Sequence, residues 1–266
     1  MALPLRDDHV ARQVPWVTFA LIAAIVMAFM FVQPAGFQSG AVDSGESQAA
    51  SWQVRERDEF TYRYGTVACE VVSGETLADQ PDQCDRADSS YLPLSKSIPL
   101  SLFTALFLHG DIAHLGGNLL FLWVFGARVE SRLGPANYLG LYLAGGVVAT
   151  FGFIAANSTS AVPLIGASGA IAALMGAYLV LVPDGRILTV IFTAAFQVVY
   201  LPAAIVLALF FVTQFFTSDE SVAWQAHAAG MVAGVLAALA LARIPAVKAR
   251  AEREKSNDQL KAGREF

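Results

Sequence analysis

Long apolar stretches alternate with short polar segments along the chain, and this pattern predicts six membrane spans. An apolar run of about 20 residues with almost no charge matches the thickness of a bilayer core. The predicted spans are residues 15–32, about 111–125, 136–156, 162–182, one near 202–216 and 222–241. The chain is therefore expected to be an all-α membrane protein.

Two of these spans do not have the length of a single membrane-crossing helix. The 30-residue apolar tract 187–216 is too long for one span and too short for two, because a single helix of that length would reach about 45 Å. We predict one span near 202–216, preceded by an interfacial segment on the side of Arg186. The second span is short and contains polar residues from Asp111 onward, so it should be buried in a bundle. A re-entrant loop is one way for the chain to lead into it.

The distribution of Lys and Arg predicts the orientation. With the N-terminus inside, most basic residues, including those of the C-terminal tail, fall on the inner side, as the positive-inside rule requires. We expect a multi-pass protein of the plasma (inner) membrane with both termini cytoplasmic. Arg6 and Arg12 before the first span also fit a cleaved signal peptide, whose removal would leave the other five spans oriented as before.

Polar and apolar segments divide the chain into five parts. These are a cytoplasmic tail (1–14), the first transmembrane helix (15–33), a long extracytoplasmic loop module (34–98), a five-helix membrane core (99–243) and a charged cytoplasmic tail (244–266). In the loop module, DEFTYRYGTV predicts a short strand or hairpin. Cys69 and Cys84 either form a disulfide or stay unpaired. The C-terminal tail is expected to be a solvated or frayed helix.

Composition supports the membrane assignment and limits the partners. The chain is 56% hydrophobic and 15% charged, whereas soluble domains carry about 25% charged residues. The net charge of −5 comes largely from the acidic loop module. No basic run with interleaved aromatic residues is present, so nucleic acid is not an expected partner. The lipid bilayer is an expected partner.

The predicted spans and their ends contain a short set of polar side chains, and such groups are costly in a membrane unless they have a role. They are His109, Asp111, His114, Asn118, Ser168, Gln197, Gln214, Gln225 and His227. Spans two, four and six run in the same direction, so the pair His114 and Asn118, Ser168 and His227 lie at a similar predicted depth. A lone serine in a membrane helix usually serves packing; the shared depth favours a site.

Two stripes of small residues predict that the fourth and sixth helices approach closely. One consists of Gly169, Ala173 and Ala177, and the other of Ala226, Gly230 and Gly234. The second stripe starts beside His227 and the first beside Ser168. The stripes are therefore expected to bring the histidine to the serine.

A serine next to a neutral histidine predicts nucleophilic catalysis, because the imidazole can take the hydroxyl proton. His114 and Asn118 lie four residues apart on one helix face and can donate to a developing oxyanion. Gly166 and Pro163 indicate a helix start just before Ser168, whose positive end also favours an anion. No acidic third member is evident, so a Ser–His dyad is expected.

A metal site is the alternative interpretation of His109, Asp111 and His114. It lacks a convincing fourth ligand, so neither a metal nor another cofactor is expected.

The sequence resembles the rhomboid family of intramembrane serine proteases across 98–243. The matching motifs are FLHGDIAHLGGNLLFLWVFGARVESRLG (107–134), GASG (166–169) and AHAAGMVAG (226–234). The resemblance implies a six-helix rhomboid-like bundle with a water-filled cavity open to the outer side. It implies transmembrane protein substrates, Ser168 as nucleophile, His227 as general base, and His114 and Asn118 as oxyanion donors. It implies a structural role for His109.

Two positions depart from the family pattern. Some members carry a tyrosine one turn after the serine, where this chain has Ala172, so another group must support His227. Many members carry a Trp–Arg pair in the first loop, whereas Trp52 is followed by Gln53. A catalytically inactive rhomboid-like protein that binds membrane clients is the rival interpretation. A transporter would show internal repeats, and none is seen. The oligomeric state, the natural substrate and its cleavage site are not predicted.

Overall fold

The structure is a computed structural model that describes residues 2–8, 14–34, 48–79, 84–85, 92–93, 95–192, 196–215 and 223–262. The residues outside these ranges include 9–13, 216–222 and 263–266. Arg12, the predicted end of span five, the predicted start of span six and the last residues of the tail therefore lie outside the described residues. The described residues are mostly helical.

Eleven α-helices and five strands are described. The helices are α1 (Trp16–Met27), α2 (Gln48–Tyr64), α3 (Ala68–Ser73), α4 (Ile98–Thr104), α5 (Ile112–Phe121), α6 (Ala127–Leu133), α7 (Pro135–Ala156), α8 (Ser168–Leu181), α9 (Ala203–Phe215), α10 (Trp224–Leu241) and α11 (Pro245–Ala262). The strands are β1 (Ala2–Asp7), β2 (Thr66–Val67), β3 (Pro163–Leu164), β4 (Arg186–Phe192) and β5 (Phe196–Pro202).

Three helices among the described residues are long and apolar enough to cross a membrane. They are Ile112–Leu133, in which α5 and α6 are joined by a π-helical turn, Pro135–Ala156 and Trp224–Leu241. Four shorter apolar helices accompany them: Trp16–Val32, Ile98–Phe107, Ser168–Leu181 and Ala203–Gln214.

The second predicted span was too short. The helix that starts at Ile112 continues to Leu133 over 22 residues, beyond the predicted end at 125. Charged side chains after that point suggested a loop, but Glu130 is buried and accepts hydrogen bonds from the backbone of α1 at Val17 (3.0 Å) and Thr18 (2.8 Å). The carboxylate thus satisfies N–H groups that a helix start leaves without intrahelical partners.

The tails and loops contain strands that the all-α prediction missed. The predicted interfacial segment after Arg186 is an antiparallel hairpin of β4 and β5, and β1 pairs with β4 to complete a sheet of order β1–β4–β5. Part of the predicted N-terminal tail is therefore ordered sheet. The Tyr178 hydroxyl, near the end of α8, donates to Asp7 of β1 at 2.8 Å.

The prediction of a strand at DEFTYRYGTV was wrong for most of its length. Helix α2 runs through to Tyr64, and only Thr66 and Val67 form a strand. That strand pairs with β3, so the fourth predicted span is also shorter than expected: its helix begins at Ser168, and residues 163–164 are extended.

The loop module is tied to the chain just before α8. Cys69 and Cys84 form a disulfide, which decides between the two alternatives left open by the sequence. The backbone N–H groups of Cys69 and Asp85 donate to the carbonyls of Ser160 (3.1 Å) and Thr159 (2.9 Å).

A buried ion pair lies in the same module. Lys96 and Glu70 form it, with side chains that are 1% and 4% exposed. Burial lowers the pKa of Lys96, and the Glu70 carboxylate opposes that shift. Because removing one partner would leave a buried charge, each member depends on the other.

Helix α8 lies at the centre of the bundle, with residues 169–178 buried. It is in close contact with α10, as the small-residue stripes predict. A Cβ at Gly230 would overlap the carbonyl oxygen of Gly169, and a Cβ at Gly234 would overlap that of Ala173. The two helices thus meet backbone against backbone.

We expect Gly234→Ala to lower the stability of the bundle by about 1–3 kcal/mol, because the added methyl group has no space between α10 and α8. Thermal unfolding of the purified protein in detergent measures the effect. Gly140→Ala on α7 is the matched control, since a Cβ there meets nothing within 4 Å. Equal melting temperatures for the two variants would contradict the close contact.

Candidate active site

Ser168 is the first residue of α8. The chain reaches it through Gly166, whose φ of 126° is a conformation that side chains disfavour. The Gly166 N–H donates to the carbonyl of Ala105 at 2.8 Å. The predicted helix start just before the serine is thus confirmed, and the backbone N–H groups at this end of α8 have no intrahelical partners.

His227 lies directly against the serine. Its Nε2 atom is 2.7 Å from Ser168 Oγ, which is hydrogen-bond distance. The histidine is 8% exposed and lies in the first turn of α10, three residues before Gly230, where this helix contacts Gly169. The structure therefore brings together the serine and histidine that the sequence predicted as partners.

His114 lies on the other side of Gly166. A Cβ at Gly166 would be 2.9 Å from His114 Nε2 and 3.7 Å from Ser168 Oγ. His114 Nδ1 accepts a hydrogen bond from the Gly110 N–H at 3.3 Å, so in the neutral ring the proton is on Nε2. That N–H faces the space beside the serine.

Asn118 is one helical turn further along the same face of α5. Its side chain is 6% exposed, and its amide donates to the carbonyl of His114 at 2.9 Å. One bond of this kind uses one of the two amide hydrogens. The amide is thus held beside the histidine with a second N–H to offer.

His109 supports this arrangement from outside it. It is fully buried, and its ring meets that of His114 edge to face at a centroid distance of 5.1 Å. The side chain of Gln33, at the end of the first helix, accepts from the His109 N–H (3.0 Å) and donates to its carbonyl (2.8 Å). These contacts fit the expected structural role.

Two residues of α9 contact His227, and sequence reasoning assigned neither of them a role. The Gln214 side-chain oxygen Oε1 is 2.6 Å from His227 Nδ1, and the Phe210 ring lies 6.0 Å from the imidazole between centroids. The available signal was the presence of a polar Gln214 in an apolar helix. Ala172, at the position of the family's tyrosine, is buried in α8.

Two of the remaining polar residues stand apart from this cluster, and a third supports it. Gln197 lies exposed on β5, and Gln225 is partly exposed in the first turn of α10. Asp111 is the N-cap of α5 and accepts from the His114 N–H at 2.8 Å. Across the described ranges, no group of three or more His, Cys, Asp or Glu side chains is placed to hold a metal.

Comparison with known proteins identifies the family. A family model described as the rhomboid domain matches residues 98–244, more than half of the chain. The chain belongs to the rhomboid family. The resemblance inferred from the three sequence motifs is thereby confirmed.

Several rhomboid relatives are similar over part of the chain. The presenilin-associated rhomboid-like protein A, mitochondrial, of Danio rerio is 33% identical over 97 residues, which is 36% of this chain and 25% of the relative. Rhomboid protein 1, mitochondrial, of Saccharomyces cerevisiae is 32% identical over 120 residues (42% and 35%). Rhomboid protease GluP of Bacillus subtilis is 42% identical over 85 residues (32% and 16%).

The matched segments thus span between 16% and 35% of these relatives. Two of the three names include "mitochondrial", so the comparisons give no support to the expected plasma membrane.

We expect Gly166→Ala to displace His114, because the new methyl group would lie within 2.9 Å of its ring and the backbone would be strained. The chain has four histidines, so ¹⁵N-histidine NMR resolves the His114 imidazole. Its signals should shift in Gly166→Ala. They should stay in place in Gly117→Ala, where a Cβ meets nothing within 4 Å; unchanged signals in both variants would show that Gly166 does not set the position of His114.

Proposed function

We propose that the protein is an intramembrane serine protease that hydrolyses peptide bonds in or next to transmembrane segments of other membrane proteins. The observation that carries the proposal is the 2.7 Å contact between Ser168 Oγ and His227 Nε2. A serine hydroxyl becomes a useful nucleophile when a base accepts its proton in this way.

The reaction would follow the usual course of acyl transfer. Ser168 Oγ attacks the scissile carbonyl carbon while its proton passes to His227 Nε2, and the carbonyl oxygen becomes an oxyanion. His227 then gives that proton to the leaving amine as the peptide bond breaks. A water molecule, activated by the same histidine, hydrolyses the acyl-enzyme and restores the serine.

The oxyanion would be stabilised by three sets of donors near Ser168 in the sequence or on α5. They are the Nε2–H of His114, the second amide hydrogen of Asn118 and the backbone N–H groups at the start of α8. Such donors act strongly where water is excluded, and each typically contributes about 3–4 kcal/mol to the transition state. No metal or cofactor is required for this chemistry.

The site would open to the side of the membrane that carries the loop module, since β3 links this module to the chain before Ser168. The strands β1, β4 and β5 and helix α11 would lie at the opposite, basic end, with both termini on that side. Substrates would have to unwind locally, because a helical backbone keeps its carbonyl groups bonded. A catalytically inactive client-binding role is less well supported, since all four groups needed for the chemistry are present.

Replacement of Ser168 or His227 by Ala is expected to abolish cleavage of a model transmembrane substrate by the purified protein in liposomes. Ser158→Ala, an exposed serine of the loop after α7, serves as the control and should cleave normally. A fluorophosphonate probe should label wild type and Ser158→Ala but neither active-site variant. Cleavage by Ser168→Ala at the wild-type rate would refute the mechanism.

Replacement of His114 by Ala is expected to lower kcat by about 10²- to 10³-fold with little change in KM, because the lost donor acts on the oxyanion and not on the bound substrate. Asn118→Ala should behave in the same way. Initial rates over a range of substrate mole fractions in the membrane give both constants. If KM rises and kcat is unchanged, the side chain serves substrate binding instead.

A further inference from the structure

We propose that Gln214 is the positioning residue that holds His227 in the tautomer required of a general base. This inference rests on the proposed protease function and deepens it. In this role Gln214 supplies the support for His227 that Ala172 cannot give.

The geometry around the imidazole decides which nitrogen carries the proton. Gln214 Oε1 lies 2.6 Å from Nδ1, and Ser168 Oγ lies 2.7 Å from Nε2. A carboxamide oxygen can only accept a hydrogen bond, so Nδ1 must be the donor. In the neutral ring Nε2 is then unprotonated and faces the serine hydroxyl, ready to accept its proton.

A purely structural role explains Gln214 poorly. The side chain is only 9% exposed, and within the described part of the chain its Nε2 atom has no hydrogen-bond partner. Among the described residues, the hydrogen bonding of the carboxamide is directed at His227.

The neutral charge of the carboxamide suits this depth of the membrane. A carboxylate at the same place would itself have to be desolvated, which is costly in a bundle interior. Glutamine supplies the acceptor without that cost, and its oxygen also stabilises the Nδ1–H when His227 becomes an imidazolium ion. Phe210, one turn earlier on α9, packs against the same ring, so one helix supplies both the acceptor and the aromatic contact.

Three variants test the proposal in the cleavage assay. Gln214→Met keeps the side-chain length but removes the acceptor, and we expect kcat to fall by about 10²-fold with KM changed less than about threefold. Gln214→Glu keeps an acceptor for Nδ1–H and should recover at least about a tenth of the wild-type kcat. Gln225→Met, the same change on α10 two residues from His227, is the control and should match wild type.

¹⁵N-histidine NMR gives a readout that does not depend on turnover. In wild type, His227 should show a protonated Nδ1 and an unprotonated Nε2, and this pattern should be lost in Gln214→Met but kept in Gln225→Met. An unprotonated Nδ1 in wild type would overturn the proposal, because the amide nitrogen would then be the group facing the ring. Failure of Gln214→Glu to exceed Gln214→Met in kcat would overturn it as well.

The outcomes separate this inference from the function on which it rests. A wild-type protein that neither cleaves nor reacts with the fluorophosphonate probe contradicts the protease itself. A wild-type protein that does both, with Gln214→Met equally fast, contradicts only the role of Gln214. Equal melting temperatures of the variants in detergent show that lost activity does not come from unfolding.

Discussion

The contact between α8 and α10 is the constraint on which the rest of the molecule depends. Within a bilayer, apolar side chains gain little by leaving lipid for protein, so helices are held together by close packing and polar contacts. Gly230 and Gly234 remove the side chains that would keep the two backbones apart. That approach sets the separation of Ser168 from His227, and a slightly wider crossing would leave the imidazole out of reach of the hydroxyl.

The serine itself is held from the opposite direction. The segment before α8 bonds through Gly166 to Ala105 and pairs through β3 with the loop module, inside which a disulfide joins Cys69 to Cys84. His114 meets Gly166 from α5. Ser168 thus lies where the helix bundle meets the loop module, and its surroundings combine the rigidity of the bundle with the backbone hydrogen bonds of the module.

The sequence predicted the central features because each had a local signal. Ser168, His227, His114 and Asn118 were recognisable as polar groups at one predicted depth, and the small-residue stripes indicated which helices touch. The hairpin at 186–202 was missed because a run such as RILTVIF is apolar throughout and fits a strand or a helix equally. Gln214 received no role for a related reason. Which face of α9 turns toward His227 depends on how the hairpin before it leads into that helix. The second span was predicted too short because the charge of Glu130 suggested a loop, whereas its carboxylate is hydrogen-bonded to the backbone of α1.

The pairing of β1 with β4 has a consequence for how the chain assembles. Ala2 pairs with Ile191, and Asp7 accepts a hydrogen bond from Tyr178 across 171 positions of sequence, so β1 cannot pair until the apolar helices between it and β4 have been synthesised. Contacts this far apart in sequence form late, since the intervening chain must first be brought into place. We therefore expect the sheet to form after the helices that lie between β1 and β4 in the sequence.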